Sequence, residues 1–288
     1  DDAGRNLGNM YYSGLGVKQS VEKAKHWWRQ STALGSYRSA MSLATTLFLF
    51  GDDEKNKLEA VGIWKDFAKK GDQRALVAQM FAEATLKNQS ADFPLSLAKD
   101  KSLENVFLPT VRVARMLVDE RLDFFIPAKF EMQAKNFCAL ASTSMLLQHS
   151  GKKISQFDLA AHCGEKVWGN GAHWLSMTSA ADSHGAQLLV GSFTNDLSGY
   201  HKGKEFLINT LRKGKPVVID ILQDGQNSAH SMLLIGYSTT ESSFVFLDPA
   251  APFPGFRIIK NDRFQKLWKS LGFIPDNYTA KRPFLAFR

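Results

Sequence analysis

The chain is poor in cysteine, with two in 288 residues, Cys138 and Cys163. Two thiols can close one disulfide, but they form neither a disulfide framework nor a four-cysteine zinc site. The seven histidines show no HExxH spacing and no CxxC pair is present, so no metal site is expected. His162 and Cys163 are neighbours in sequence, a poor geometry for holding one ion together. Long apolar runs are also missing. The nearest, Leu43 to Phe50, falls far short of the ~18 residues that a membrane span requires. Acidic residues are the minority, 28 against 36 lysines and arginines, for a net charge of +8. The basic residues are scattered and never interleave with aromatics as a nucleic-acid platform does. A lysine-rich soluble surface, with no nucleic-acid partner, is the reading that remains.

What the chain does have is core-forming material. Its residues are 44% hydrophobic, including 21 Phe and 6 Trp. Its length exceeds the usual single domain, so two domains are expected. The first hundred residues match themselves at a shift of 36. Leu7 falls on Leu43, Gly8 on Ala44, Ala24 on Ala60, Trp28 on Trp64 and Gly35 on Gly71. Each unit reads as two helices. In the first unit a Gly-rich turn, Ser13–Val17, separates a helix bearing Leu7, Met10 and Tyr11 from one over Val21–Leu34. Gly35 ends the second helix as a C-cap. A third, degraded unit is expected, with helices near Arg74–Leu86 and Pro94–Asn105. Helix pairs at this period stack into an α-solenoid, because one pair alone leaves an apolar face uncovered.

The pattern Leu7-Gly8-x-x-Tyr11-x-x-Gly14-x-Gly16-Val17, with Lys23-Ala24-x-x-Trp27 and Gly35, resembles the Sel1-like repeat, a relative of the tetratricopeptide repeat. The second unit replaces the glycine turn with Phe50-Gly-Asp-Asp-Glu54. The first helix begins almost at Asp1, where no signal-peptide pattern is seen, so further repeats upstream are expected. The resemblance implies a scaffold that holds a protein partner, or one that only braces a catalytic domain. The Sel1-like repeats are assigned to 1–105 and a helical connector, with Val111–Glu120 as its helix, to 106–126.

From about residue 127 the elements change. Cys138 stands where an irregular approach, Gln133-Ala-Lys-Asn-Phe, meets a helix running to His149. A thiol at a helix N-terminus feels the positive end of the peptide dipoles, which favours the thiolate. Ser155 caps the next helix with Asp158 three residues on, an acidic capping box. The loop 164–171, with Trp168, leads to a helix over His173–Ser183. Then the period turns to two. Strands are expected over Ala186–Val190, Pro216–Leu222, Ser231–Tyr237, Ser243–Leu247 and Phe256–Ile259, with a helix over Lys204–Arg212. Helices first and strands last give α+β, with helices packed on an antiparallel sheet.

Three residues in this half suit one chemistry. Cys138 can serve as nucleophile, His230 at the head of an apolar run as base, and Asp248 closing the next run as its orienter. Gln133 can add an amide donor for an oxyanion. Cys163 reads as structural. Asp220, Asp224, His173 and Trp174 are polar or aromatic residues with no distinguishing pattern.

This order of residues resembles the papain-like superfamily and, within it, the C39-like peptidases. The carrying elements are Gln133 before Phe137-Cys138, the stretch Leu211-Arg-Lys-Gly-Lys-Pro216-Val-Val-Ile, His230-Ser-Met-Leu-Leu-Ile-Gly236-Tyr237, and Asp248-Pro249. Phe264-Gln-Lys-Leu-Trp268 fits the closing helix. Two departures stand out: Ala139 follows the cysteine in place of glycine, and the Gln-to-Cys gap is about one residue short. Phytochelatin synthases share a segment similar to Phe137-Cys138-Ala-Leu-Ala-Ser142, but their cysteine-rich features are absent. The resemblance implies a C39-like papain-fold domain over 127–288 with catalytic Cys138, His230, Asp248 and Gln133 and no cofactor. It implies a cysteine peptidase acting on a protein or peptide. An acyl-transferring or deamidating effector and a catalytically silent binding module are the alternatives. The compartment stays open, with a periplasmic or secreted bacterial setting favoured.

Overall fold

The computed structural model describes residues 2–51, 53–88, 94–163, 174–222, 229–269 and 281–288. Trp168, His173 and Asp224, singled out above, lie outside these residues. The chain divides into two compact units. One comprises Asp1–Arg115 with Ala251–Gly255, the other Met116–Ala250 with Phe256–Arg288. Among the described residues, no helix is long and apolar enough to cross a membrane.

The first unit is helical: α1 (Asp2–Ser13), α2 (Val21–Ala33), α3 (Tyr37–Phe50), α4 (Glu54–Ala68) and α5 (Gln73–Asn88), each packed on the next. The 36-residue period extends to individual hydrogen bonds. After α2, Gly35 N–H donates to Thr32 O (2.9 Å) and Ser36 N–H to Ser31 O (3.0 Å). After α4, Gly71 N–H donates to Ala68 O (2.9 Å) and Asp72 N–H to Phe67 O (3.2 Å). These paired bonds are a Schellman closure, which requires a left-handed residue, and both glycines have φ of 91°. The next helix is then capped in the same way: Ser36 Oγ accepts from Ser39 N–H, and Asp72 Oδ1 from Ala75 N–H. The repeated apolar positions, Ala24 with Ala60 and Trp28 with Trp64, are buried. Phe253 stacks on Trp64, with ring centroids 4.9 Å apart.

The expected helix over Pro94–Asn105 does not form as one piece. A single turn, α6 (Ser96–Lys99), gives way to a 3-10 turn over Lys101–Leu103. Asp100 breaks it. Its backbone is extended, and its carboxylate takes Ser102 N–H at 2.8 Å, an alternative that short polar side chains offer the backbone. Helix α7 (Pro109–Val118) follows.

The second unit contains a seven-stranded antiparallel sheet among the described residues. Its strands are β1 (Phe124–Phe125), β2 (Leu188–Thr194), β3 (Val217–Leu222), β4 (Ala229–Ser238), β5 (Ser243–Leu247), β6 (Phe256–Lys260) and β7 (Lys281–Phe287). The order is β2-β7-β3-β4-β5-β6, with β1 beside β4. Helices α8 (Cys138–His149), α9 (Gln156–Cys163), α10 (Trp174–Ser183), α11 (Leu197–Arg212) and α12 (Asn261–Leu267) complete it. Helix α8 packs on β3 and β4, and α11 on β2, β3, β4 and β7. The fold is α+β, N-terminal helices followed by helices on an antiparallel sheet.

Three differences from the sequence-based expectation have identifiable physical causes. Strand β7 is unanticipated, and Pro283 within it is a residue that argues against a strand. It pairs with β2 from Leu188↔Phe287 to Thr194↔Lys281, which shifts and lengthens β2 beyond Ala186–Val190. Helix α11 starts at Leu197 and not near Lys204, because Asp196 caps it through Gly199 N–H at 2.6 Å. Gly199 and Gly203 within it are close-approach positions. A Cβ on Gly203 would come within 2.7 Å of the Trp268 ring.

Candidate active site

Cys138 is placed by a turn and a buried anchor. Phe137 N–H donates to Ala134 O at 3.0 Å, closing a turn whose third residue, Asn136, has φ of 65°. Asparagine tolerates this left-handed conformation better than other residues with a Cβ, glycine aside. Phe137 is fully buried and meets Phe157 of α9. Cys138 is thereby the first residue of α8, and no side chain caps that helix end. The residue is half-buried, and its thiol is not in a disulfide.

His230 lies in β4 with 3% of its surface exposed. Its Nε2 is 2.7 Å from Asp248 Oδ1, and Cys138 bonds to its side chain as well. With Nε2 engaged by the carboxylate, Nδ1 is the ring nitrogen left for the thiol. Burial pushes the imidazole down. The bonds to Asp248 and Cys138, with the charges of both, outweigh it and raise His230 to about 9. Asp248 follows directly after β5 and is itself buried. Burial pushes its carboxyl up, but His230, Ala250 N–H and Arg257 together hold it below the usual carboxylate range. Ala250 N–H reaches Oδ1 at 2.9 Å and Arg257 Nη1 reaches Oδ2 at 2.9 Å.

Gln133 joins the Asp248 side of the site through its backbone. Its N–H donates to Pro249 O at 2.9 Å. Its side-chain Oε1 is buried and has no partner among the described residues. The segment carrying it is held by Gln156 of α9, whose Nε2 donates to Met132 O (2.7 Å) and whose Oε1 accepts from Ala134 N–H (2.7 Å). Beside it, the buried Glu131 carboxyl bonds to Ser144, to Gln148 Nε2 (2.9 Å) and to Gln156 N–H (3.0 Å). Burial raises the Glu131 carboxyl despite these bonds.

The four residues picked from the sequence thus lie on two connected strands of bonding: Cys138–His230–Asp248, and Gln133–Pro249. Sequence reasoning missed Arg257, Ser142, Ser231, Glu131 and Gln156. Arg257 carried a usable signal, being the one charged residue inside the apolar run Phe256–Ile259. Asp220, noticed but given no role, is buried in β3, bonded by Ser231 Oγ, and feels the charge of His230. Trp174 is buried in the core, and burial raises the Cys163 thiol.

The profile of the peptidase C39-like family matches residues 125–275, just over half of the chain. The chain belongs to the peptidase C39-like family. In this C39-like protein the matched span takes in every residue of the candidate site. No curated protein matches the chain. One similar solved structure is a double glycine motif protease from an AMS/PCAT transporter in complex with the leader peptide. It is 18% identical, with a TM-score of 0.40, covering 58% of this chain and 96% of that one. Another is the peptidase domain of Streptococcus ComA, a bifunctional ABC transporter involved in quorum sensing. It is 17% identical, with a TM-score of 0.39, covering 56% and 98%.

Proposed function

We propose that this C39-like protein is a cysteine peptidase that cleaves an amide bond in a protein or peptide. The observation that carries the reading is the bonded series Cys138–His230–Asp248 at the head of α8. His230 Nδ1 takes the thiol proton and Asp248 holds the imidazole tautomer and ring angle through Nε2. The thiolate attacks the carbonyl carbon, forming a C–S bond while the carbonyl electrons move to oxygen. The Cys138 backbone N–H, which has no intrahelical partner at the first position of α8, and the Gln133 amide then stabilise that oxyanion. As the C–N bond breaks, the imidazolium gives its proton to the leaving amine. Water, activated by the now neutral His230, resolves the thioester.

The helical unit enters the proposal as a set of Sel1-like repeats over 1–105 that holds a protein substrate or partner. Its support is the 36-residue recurrence of caps and Schellman closures around Gly35 and Gly71. The proposed catalytic domain begins near residue 127.

The test is cleavage of a proteome-derived peptide library by the wild-type chain and by Cys138→Ser, read by mass spectrometry. New peptide termini that vanish with Cys138→Ser support the peptidase reading. Identical termini in both samples contradict it.

A further inference from the structure

Asp248 is engaged on both oxygens. Oδ1 accepts from Ala250 N–H and faces His230 Nε2, while Oδ2 accepts Arg257 Nη1 at 2.9 Å. Arg257 comes from β6, two strands from His230, where it pairs in register with Phe246. The same Nη1 lies 3.9 Å from Met232 Sδ. A carboxylate held on one oxygen alone can rotate about its terminal torsion. Held on both, it presents one fixed lone pair to the imidazole.

We infer that Arg257 is a positioning residue for the proposed reaction: its guanidinium locks the Asp248 carboxylate against His230 and sets the pH range over which Cys138 and His230 form a reactive pair. The inference rests on the peptidase reading of Cys138 and His230. Its electrostatic content comes from the charges around the pair. Among the described residues these are Cys138 from α8, Asp220 from β3, Asp248 after β5 and Arg257 from β6. Asp248 and Asp220 favour the imidazolium. Arg257 is the one cation in this set. It draws on the Asp248 carboxylate, so it tempers the pull of that carboxylate on the imidazole.

Removing the cation makes the imidazolium harder to deprotonate. The limb of a pH–reactivity profile that reports His230 then moves to higher pH. A residue that merely filled space would lower the plateau and leave that limb where it is.

The experiment is iodoacetamide alkylation of Cys138 from pH 4 to 10, with peptide mapping to separate Cys138 from Cys163. It compares the wild-type chain with Arg257→Gln and Arg257→Lys, each folded by circular dichroism. For Arg257→Gln, the inflection that reports His230 should rise by about half a pH unit or more. Arg257→Lys, which keeps the charge, should return it to its wild-type position. A His230 inflection of Arg257→Gln that coincides with that of wild type overturns the inference and leaves the peptidase reading intact. A wild-type Cys138 that titrates as an ordinary isolated thiol sinks the Cys138–His230 pair, and this inference with it. If Arg257→Gln does not fold, Arg257→Met keeps an unbranched stem without the charge and takes its place with the same expected shift.

Discussion

Ser142 Oγ donates to the backbone carbonyl of Ser231 at 3.0 Å, in a fully buried position. Ser142 lies one turn after Cys138 on α8, and Ser231 follows His230 on β4. This single bond therefore pins the helix that carries the thiol to the strand that carries the imidazole. A Ser142→Ala change leaves the Ser231 carbonyl without that donor, a loss of about 1–2 kcal/mol. Thermal melts should show the destabilisation, and Cys138 alkylation at pH 7 should slow more than Cys163 alkylation does. Equal slowing at both cysteines would assign Ser142 to general stability only.

Asp220 predicts a pH-dependent stability. Burial, offset only partly by Ser231 and the His230 charge, raises its carboxyl from 3.8 to about 6. The folded state therefore binds this proton more tightly than the unfolded state. The contribution is full below about pH 4, falls as pH rises to about 6, and stays low above. A shift of this size corresponds to about 2–3 kcal/mol. Asp220→Asn keeps an acceptor for Ser231 and removes the titration. Urea midpoints at pH 4.5 and 7.5 should show Asp220→Asn gaining on wild type at the higher pH. Parallel curves for the two proteins would contradict the assignment.

Gln133→Ala should lower kcat by about 10²–10³ with little change in KM, as expected for a donor used only by the oxyanion. Steady-state kinetics on any cleaved peptide decide this. An unchanged kcat would remove Gln133 from the mechanism and leave the Cys138 N–H as the donor from this segment.

In the helical unit, a Cβ on Gly8 would meet the Trp28 ring at 2.3 Å. Trp28 is buried and its Nε1 donates to Asn9 Oδ1 at 3.2 Å, so it has little room to move. Gly8→Ala should therefore destabilise the chain by roughly 1–3 kcal/mol through overpacking. The matching position of the second unit already carries Ala44, so Ala44→Gly should cost less than about 1.5 kcal/mol. Chemical denaturation of both variants checks the contrast.

The sequence carried the α+β class, because strong local signals and long-range packing agree there. Gly35 and Gly71 announced helix ends that the backbone closes in the same way. Ser155 and Asp158 form the reciprocal cap that their spacing suggests, with Asp158 Oδ2 taking Ser155 N–H at 2.8 Å. Cys138, His230 and Asp248 were legible because each sits at the end of a regular element, where composition changes abruptly. The features that escaped notice depend on partners distant in sequence. Strand β7 is decided by its pairing with β2 and β3, against the local preference of Pro283. Arg257 reaches Asp248 only because β5 and β6 are neighbours in register. The Glu131–Gln156 support joins residues 25 apart through buried polar bonds, which leave no periodic trace in the sequence.

In the proposed reaction Cys138 carries the acyl group of the cleaved amide, with His230 as its base. The direct measurement is rapid acid quenching of the chain during turnover of a cleaved peptide, followed by mass mapping of the thioester. An acyl adduct is expected on Cys138 in the wild-type chain, and its loss in His230→Ala. An adduct on another residue, or cleavage that persists in Cys138→Ser, would contradict it.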